Sequence, residues 1–372
     1  MDYIELLSYY PMVHRDKLIY RYGTDAIRIG TDDTDVVQLN TGSEDIFSIL
    51  KLMDGNHSVD DLLSMNTKLK IYDISAIIVK LFKVHALSIL TKKLDSLTSG
   101  NRFKSDVTYY YSEGIDGYEI LNKLARLKIT IFGAGGGGSL IALQLANLGV
   151  GNIHIVDPDV ISESNLNRQI LFSAKDVGKL KVDAVKKYLS DRNPKINVTT
   201  STRRIEGVTD AVKELSDADW AFCCIDEPPY IAQRTVNRAC FSRNIPSLYG
   251  FTSRDSAKLM IVYPGKTGCV DCLLTNRDNL QFRKLIASFQ NASFLPITPL
   301  IVPNMMLETA WITRRWLDEL TKKASCVNTL LRFDFNKLKE EKFISFGREN
   351  ECPTCGKECS SSKLWEIIQI KD

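Results

Sequence analysis

A glycine-rich turn between two apolar segments constrains this chain more than any other feature of its sequence. The apolar segment 128–132 is followed by Gly133, Gly135 and Gly138 and then by a helix-like apolar segment. Glycines at this place let the backbone turn tightly, so that its N–H groups can approach a phosphate closely. A second apolar strand ends at Asp157, and two strands joined by a helix imply a parallel sheet. We therefore predict an α/β fold with a Rossmann-like nucleotide-binding domain and a mixed, mainly parallel sheet.

The glycines alone do not decide which nucleotide binds. Asp157 comes about 20 residues after the turn, where a carboxylate can bind ribose hydroxyls in a dehydrogenase as well as in an ATP enzyme. The next segment brings Asn165, Arg168, Gln169 and Lys181 close behind the second strand. Arginine and lysine suit a triphosphate, so Arg168 and Lys181 are predicted as catalytic cations at the α-phosphate of ATP. Asn165 and Gln169 are predicted to bind the nucleotide together with these cations. The alternative function is that of an NAD oxidoreductase.

A second carboxylate follows the apolar segment 218–225, which is typical of a further strand. Asp226 comes directly after it. Ligands of open α/β sheets bind at the carboxyl ends of the strands, so this residue would face the nucleotide. Mg²⁺ prefers one or two carboxylates plus substrate phosphates. Asp226 is therefore predicted as the magnesium ligand and a catalytic residue, whereas Glu227 as ligand, or no ligand in this loop at all, are the alternatives.

The cysteines predict a structural metal site. Their number, nine, is odd, and the N-terminal sequence lacks the pattern of a secretory signal, so we expect the reducing cytoplasm and no disulfide framework. Two pairs have the spacing of metal knuckles, Cys269 with Cys272 and Cys352 with Cys355. Four thiolates complete a tetrahedral zinc shell and leave no open position for catalysis. The alternative is four unrelated buried thiols.

Charge and hydropathy exclude several kinds of partner. Lys and Arg number 48 against 45 Asp and Glu, a formal charge of +3 that indicates no nucleic-acid partner and no membrane surface. The uncharged segment 285–307 is long enough to raise the question of a membrane span. Its prolines at 296, 299 and 303 argue against an uninterrupted helix in lipid. We predict a buried or substrate-facing crossover there and no membrane partner.

Residues 1–95 are predicted to form a small separate domain, and residues 96–372 the nucleotide-binding domain. A strand pair at 25–30 and 35–40 precedes three helices and a strand, an order typical of a winged-helix-like module. The second helix has the capping pattern of Ser58 and Asp61. Such a strand pair could bind a peptide as an added strand. The alternative, a dimerisation or purely structural cap, is equally compatible with the pattern.

Several motifs together resemble one superfamily. The segments GAGGGGS and SNLNRQILF, Lys181, and CID at Asp226 resemble the ThiF/MoeB and ubiquitin-activating superfamily of adenylating enzymes over residues 100–358. Within it, PGKTGCVDC and CPTCG are similar to the enzymes that mature the precursor peptides of microcin C, of MccB type, and of pantocin A. The resemblance implies ATP- and Mg²⁺-dependent adenylation of a carboxylate on a ribosomal precursor peptide during peptide-antibiotic maturation. It also implies a peptide clamp at 1–95, a zinc site and a homodimer.

One element departs from the superfamily pattern. An RYxRQ-like element before the first strand normally supplies an arginine to the ATP of the other subunit; here Arg102 is kept and the second arginine is replaced by Ser105. Arg102 or Lys104 could take this catalytic role, or the carboxylate could be phosphorylated instead. Activation of a Glu side chain would lead to cyclisation, as in the pantocin A type, and C-terminal activation to a nucleotide-linked peptide. Adenylation of a sulfur-carrier protein and a non-catalytic leader-binding scaffold are the alternative functions.

Overall fold

The computed structural model describes residues 3–31, 36–97, 102–290, 299–323, 325–358 and 360–372. It divides into two compact units, Met1–Lys123 and Leu124–Asp372. The first unit contains, in chain order, α1 (Tyr3–Leu6), β1 (Tyr10–Val13), β2 (Ile19–Tyr22), β3 (Ala26–Ile29), β4 (Val37–Leu39), α2 (Glu44–Leu52), α3 (Val59–Met65), α4 (Ile71–Lys83), β5 (Leu87–Leu90), α5 (Leu94–Leu97), α6 (Lys104–Ser112) and α7 (Gly117–Arg126), which spans the boundary.

Over its described residues, the first unit combines two small antiparallel sheets with the helices α1 to α7. Strands β2, β3 and β4 form one sheet, and β1 pairs with β5 in the other. Ser58 and Asp61 form the expected reciprocal cap of α3, in which each side chain accepts the other residue's backbone N–H. The unit extends past residue 95 to Lys123, because Val107 and Tyr111 of α6 pack against Met12 of β1.

The second unit is built on one sheet of eight strands. It contains β6 (Lys128–Phe132), α8 (Gly136–Asn147), β7 (Asn152–Val156), α9 (Lys181–Arg192), β8 (Asn197–Ser201), α10 (Val208–Leu215), β9 (Trp220–Cys223), α11 (Ile231–Ser242), β10 (Ser247–Thr252), β11 (Ser256–Val262), α12 (Val270–Arg277), α13 (Leu280–Gln290), α14 (Val302–Leu320), β12 (Thr329–Asp334), β13 (Lys339–Ser345) and α15 (Leu364–Ile367).

The order of these strands confirms the predicted α/β fold with a mixed, mainly parallel sheet. It reads β13-β12-β11-β10-β9-β6-β7-β8, and the five strands from β10 to β8 are parallel. After β6 the chain first adds β7 and β8 on one side and then β9 and β10 on the other. The strand order therefore reverses between β6 and β9, and open α/β sheets bind their ligands in the crevice at such a point. The hairpin of β12 and β13 at the antiparallel edge was not predicted.

The uncharged segment 285–307 contains the end of α13 and the start of α14, while residues 291–298 lie outside the described part of the chain. Among the described helices, none has the length and apolar character needed to cross a bilayer. Met305 of α14 packs against the first turn of α8, where a Cβ built on Gly136 would be 2.8 Å from the Met305 Cε. Helix α14 thus packs at the end of the sheet that carries the glycine turn.

Candidate functional site

The glycine turn lies at the end of β6, where the strand order reverses. Gly133 has a φ of 101°, and a Cβ there would lie 2.6 Å from the carbonyl oxygen of Cys224. A Cβ on Gly138 would lie 1.9 Å from the carbonyl oxygen of Gly133. Glycine is therefore required at both positions to pack the turn against the end of β9. Gly135 caps α8, and no side chain of the described residues bonds to the free N–H groups of that helix end, which is a favourable place for a phosphate.

Asp157 holds this turn in place, a role that the sequence did not reveal. Its side chain is buried. Oδ2 accepts the backbone N–H of Ala134 at 2.7 Å, and Oδ1 accepts that of Asp159 at 2.9 Å. Each carboxylate oxygen has a further lone pair, so these bonds are compatible with the predicted contact to a ribose hydroxyl.

Gln169 presents a buried, unsatisfied acceptor beside the turn. It is 4% exposed, and its Oε1 has no hydrogen-bond partner among the described residues. Its Nε2 lies 3.8 Å from the position of a Cβ built on Gly135. The backbone carbonyl of Asn165 accepts the N–H groups of both Arg168 and Gln169, so Asn165 shapes the loop that carries them. A buried polar atom without a partner costs about 1–3 kcal/mol, which a bound ligand would recover.

The two predicted cations lie in different surroundings. Lys181 opens α9, is almost fully buried, and its Nζ lies 2.9 Å from Oδ2 of the half-exposed Asp159. Arg168 donates from Nη1 to the Ser164 carbonyl at 3.1 Å and to Asn167 Oδ1 at 3.0 Å. Both cations therefore bond to residues of the segment that follows β7.

Arg168 lines a cavity together with a second arginine that the sequence analysis missed. The cavity has a volume of about 490 Å³ and is bounded by Asn167, Arg168, Arg254, Pro299, Leu300, Ile301 and Asn304. Arg254 lies in the turn between β10 and β11, which belongs to no recognisable motif. The side-chain amide of Asn304 donates to its backbone carbonyl at 3.4 Å and ties this turn to α14. Two guanidinium groups give the cavity an affinity for anions.

Asp226 is exposed just beyond β9 at the same edge of the sheet. A buried carboxylate that the sequence analysis also missed lies near it: burial, together with the smaller effect of the Asp226 charge, raises the pKa of Glu308 to about 7. The hydroxyl of Thr252 donates to Oε1 of Glu308, and Oε2 has no hydrogen-bond partner among the described residues. Spacing from a motif could not reveal Glu308, because it lies more than 80 positions from Asp226.

The four predicted cysteine ligands meet in one buried cluster. Their sulfur atoms all lie within 4.8 Å of one another. The separation is 3.5 Å between Cys269 and Cys352 and 3.3 Å between Cys272 and Cys355. The turn of the second knuckle requires glycine at position 356, because a Cβ there would lie 2.2 Å from the carbonyl oxygen of Asn350. Four buried soft donors at this separation fit a tetrahedral metal shell.

The other cysteines that the structure describes do not have the environment of a nucleophile. Burial raises the pKa of the thiols of Cys240 and Cys326 to about 12, and it also raises the pKa of Cys223 and Cys224. A thiolate is the reactive form, so these groups are inert at neutral pH. Cys359 lies outside the described residues.

The residues of the altered arginine element belong to the first unit. The guanidinium of Arg102 lies 5.8 Å from the ring centroid of Phe103. The Nζ of Lys104 lies 2.9 Å from Oδ1 of Asp95. Ser105 accepts, through its backbone carbonyl, the hydroxyl of Thr108 at 2.9 Å. All of these contacts lie within one chain. A role of Arg102 or Lys104 at the ATP site of a partner subunit stays a prediction.

Comparison with known proteins identifies relatives of this chain. The profile of the ThiF family matches residues 111–354. The adenylyltransferase and sulfurtransferase UBA4 of Meyerozyma guilliermondii is 34% identical over 150 residues, which cover 40% of this chain and 35% of that protein. The sulfur carrier protein ThiS adenylyltransferase of Escherichia coli is 33% identical over 153 residues, 41% of this chain and 59% of that protein. The chain thus spans less than two thirds of the length of these curated relatives.

Solved structures match almost the whole chain. The crystal structure of E. coli MccB with AMPCPP and MccA has a TM-score of 0.70 at 26% identity and covers 93% of this chain and 99% of that one. The crystal structure of PaaA has a TM-score of 0.67 at 18% identity, covers 89% of this chain and 99% of that one, and shows the shared fold. The superfamily resemblance and the similarity to MccB inferred from the sequence motifs are confirmed.

Proposed function

Because this chain belongs to the ThiF family, we propose that it uses ATP to adenylate a carboxylate of a ribosomally made precursor peptide. The observation that carries the proposal is the similarity over both units to MccB, which was crystallised with MccA and an ATP analogue. The sulfur-carrier adenylyltransferase matches only 41% of the chain. Adenylation of a sulfur-carrier protein is the second candidate function, supported by that relative.

In the proposed reaction an oxygen of the peptide carboxylate attacks the α-phosphorus of ATP. The new P–O bond forms as the bond to the bridging oxygen breaks, and pyrophosphate leaves with the electron pair. The free N–H groups of α8 and the amide of Gln169 bind the phosphates, while Lys181 and Arg168 stabilise the charge that develops on them. Bound Mg²⁺ would neutralise phosphate charge, and Asp226 is its proposed ligand. Arg254 can bind an anionic group in the cavity that it shares with Arg168.

We also propose the metal of the cysteine cluster, the oligomeric state and the carboxylate that is activated. Zinc is the metal we propose for the cysteine cluster, with a structural role because four thiolates close its shell. We further propose a cytoplasmic homodimer in which Arg102 or Lys104 contributes to the ATP site of the partner. The activated carboxylate is either the C-terminus of the peptide or a Glu side chain that then cyclises.

The proposed reaction is tested with candidate precursor peptides from small open reading frames beside this gene. We expect ATP- and peptide-dependent release of pyrophosphate, and mass spectrometry then distinguishes the products. A nucleotide adduct indicates C-terminal activation, whereas loss of water or carbon dioxide indicates cyclisation. Release of ADP and phosphate instead of pyrophosphate would indicate phosphorylation. Turnover with a Gly-Gly-tailed carrier protein but not with the peptide would contradict the proposal, and peptide binding without turnover would indicate a scaffold.

Helix α4 of the first unit offers a surface for the leader of that peptide. Tyr72, Val79 and Phe82 are each more than half exposed, and their spacing places them on one face of α4. The Nζ of Lys80 donates to the carbonyl of Gln38 at 2.9 Å and links α4 to β4, an edge strand to which an extended peptide could add. We propose that the leader binds along this edge and face.

Replacing Val79 with glutamate is expected to weaken peptide binding at least about tenfold, because a charge would occupy an apolar contact. The dissociation constant of a fluorescent leader peptide measures the effect. Met65→Glu, at an exposed apolar residue of α3, is the matched control and should leave binding unchanged. Equal losses in both variants, or no loss in either, would argue against this surface.

A further inference from the structure

Glu308 is a buried carboxylate that forms no ion pair with the residues that the structure describes. It lies on α14 and is 5% exposed. The Thr252 hydroxyl donates to Oε1, but within the described residues Oε2 has no hydrogen-bond partner. Burying an ionised carboxylate without a partner is strongly unfavourable, so such a group either keeps a proton or binds a cation.

The surroundings of Glu308 place it at the nucleotide end of the sheet. One helical turn earlier on α14, Met305 lies against Gly136, the first residue of the helix that follows the glycine turn. From the sheet side, a Cβ built on Gly250 of β10 would lie 3.9 Å from Oε1 of Glu308. Strand β10 pairs in parallel with β9, so both strands end at the edge where Asp226 lies.

The carboxylates of Asp226 and Glu308 are two neighbouring negative charges at this edge. Asp226 and Glu308 interact electrostatically, and neither forms an ion pair with any residue in the described ranges. ATP would bring further negative charge to the adjoining glycine turn. Two carboxylates and a polyphosphate repel one another unless a cation lies between them. Oxygen donors of this kind, one or two carboxylates with substrate phosphates, are those that Mg²⁺ prefers.

We propose that Glu308 is a second protein ligand of the divalent cation and that its free Oε2 binds the ion together with the Asp226 carboxylate. The proposal rests on the proposed function, because the phosphates of ATP complete the set of oxygen ligands. It assigns a role to a residue that no motif of the sequence singles out. In the opposing interpretation Glu308 keeps its proton and only packs against Thr252.

The test is a titration of Mn²⁺ into the full chain with the non-hydrolysable analogue AMPCPP, followed by electron paramagnetic resonance. Glu308→Gln keeps the acceptor for Thr252 and removes the charge. We expect it to weaken Mn²⁺ binding at least about tenfold. Asp226→Asn should have a similar effect. Glu366→Gln, at an exposed carboxylate of α15 in the same unit, is the matched control and should bind Mn²⁺ like the wild type.

Unchanged Mn²⁺ affinity in Glu308→Gln would overturn the inference and leave the proposed function standing. Failure of the wild-type chain to bind Mn²⁺ with AMPCPP would overturn both. Thermal unfolding of each variant shows whether it is folded. If Glu308→Gln does not fold, Glu308→Asp replaces it: this variant keeps the charge but withdraws the carboxylate by one methylene, so weaker Mn²⁺ binding supports the inference and unchanged binding overturns it.

Discussion

Replacing Lys181 with alanine is expected to lower the rate of ATP–pyrophosphate exchange by about 10²–10³-fold, the usual cost of removing one group that stabilises transition-state charge. The ammonium group lies at the nucleotide edge, almost fully buried, where a charge acts through less water than at the surface. Its loss would leave the charge on the α-phosphate without one of its two proposed cations. Exchange measured at saturating peptide separates this effect from weaker peptide binding.

The same helix provides the control for this prediction. Lys186 is also a lysine of α9, but it is exposed. Lys186→Ala should retain wild-type exchange. The partner of Lys181, Asp159, is half exposed and also lies 3.5 Å from Arg204, so Lys181→Ala should fold normally. Normal exchange in folded Lys181→Ala, or an equal loss in both variants, would remove Lys181 from the mechanism.

Removal of metal from the cysteine cluster is expected to destabilise the second unit by several kcal/mol. Structural zinc binding contributes on the order of 10 kcal/mol in small zinc modules, which is comparable to the whole stability of a domain. The cluster joins the start of α12 to the tail 352–356. At about 2–4 °C per kcal/mol, we expect the melting temperature to fall by roughly 10–20 °C on chelation or in Cys352→Ser. Thermal unfolding with a parallel zinc determination measures both quantities.

Cys326 supplies the matched control. It is partly buried and lies outside the cluster, so Cys326→Ser should keep both the zinc content and the melting temperature. Other contacts also hold the tail: the hydroxyl of Thr354 donates to Asp271 at 2.7 Å, and Arg238 donates to the Pro353 carbonyl at 2.8 Å. Because these bonds remain, the expected loss is smaller than the full ~10 kcal/mol of a structural zinc site. Wild-type protein that contains no zinc as purified, or Cys352→Ser that melts at the wild-type temperature, would contradict the zinc assignment.

Local sequence patterns predicted the elements whose structure depends on neighbours along the chain. The strand, glycine turn and helix from 128 to 147 formed as expected, since a tight turn and an apolar periodicity are local properties. The cap at Ser58 also formed, because its two partners are three residues apart. The edge hairpin of β12 and β13 escaped prediction because the charged, exposed segment 339–345 lacks the alternation of a half-buried strand.

At the candidate site, motif spacing led to Arg168, Lys181 and Asp226 but not to Glu308 or Arg254. The last two come from α14 and from the turn after β10, and they join the site only because the sheet brings these elements to one edge. No periodicity or motif marks them. The sequence also could not show that Asp157 accepts the N–H of Ala134, because this bond connects residues 23 positions apart.

The sequence by itself determined the type of fold, the glycine turn between β6 and α8 and the pairing of cysteines into knuckles. Each of these features depends on residues that are close together in the chain, such as the glycines of one turn or two cysteines three positions apart. Only the tertiary structure decided that the two knuckles meet within 4.8 Å and that α14 places Glu308 near Asp226. Those contacts depend on the order of the strands and on helix packing across the sheet, which no local pattern encodes.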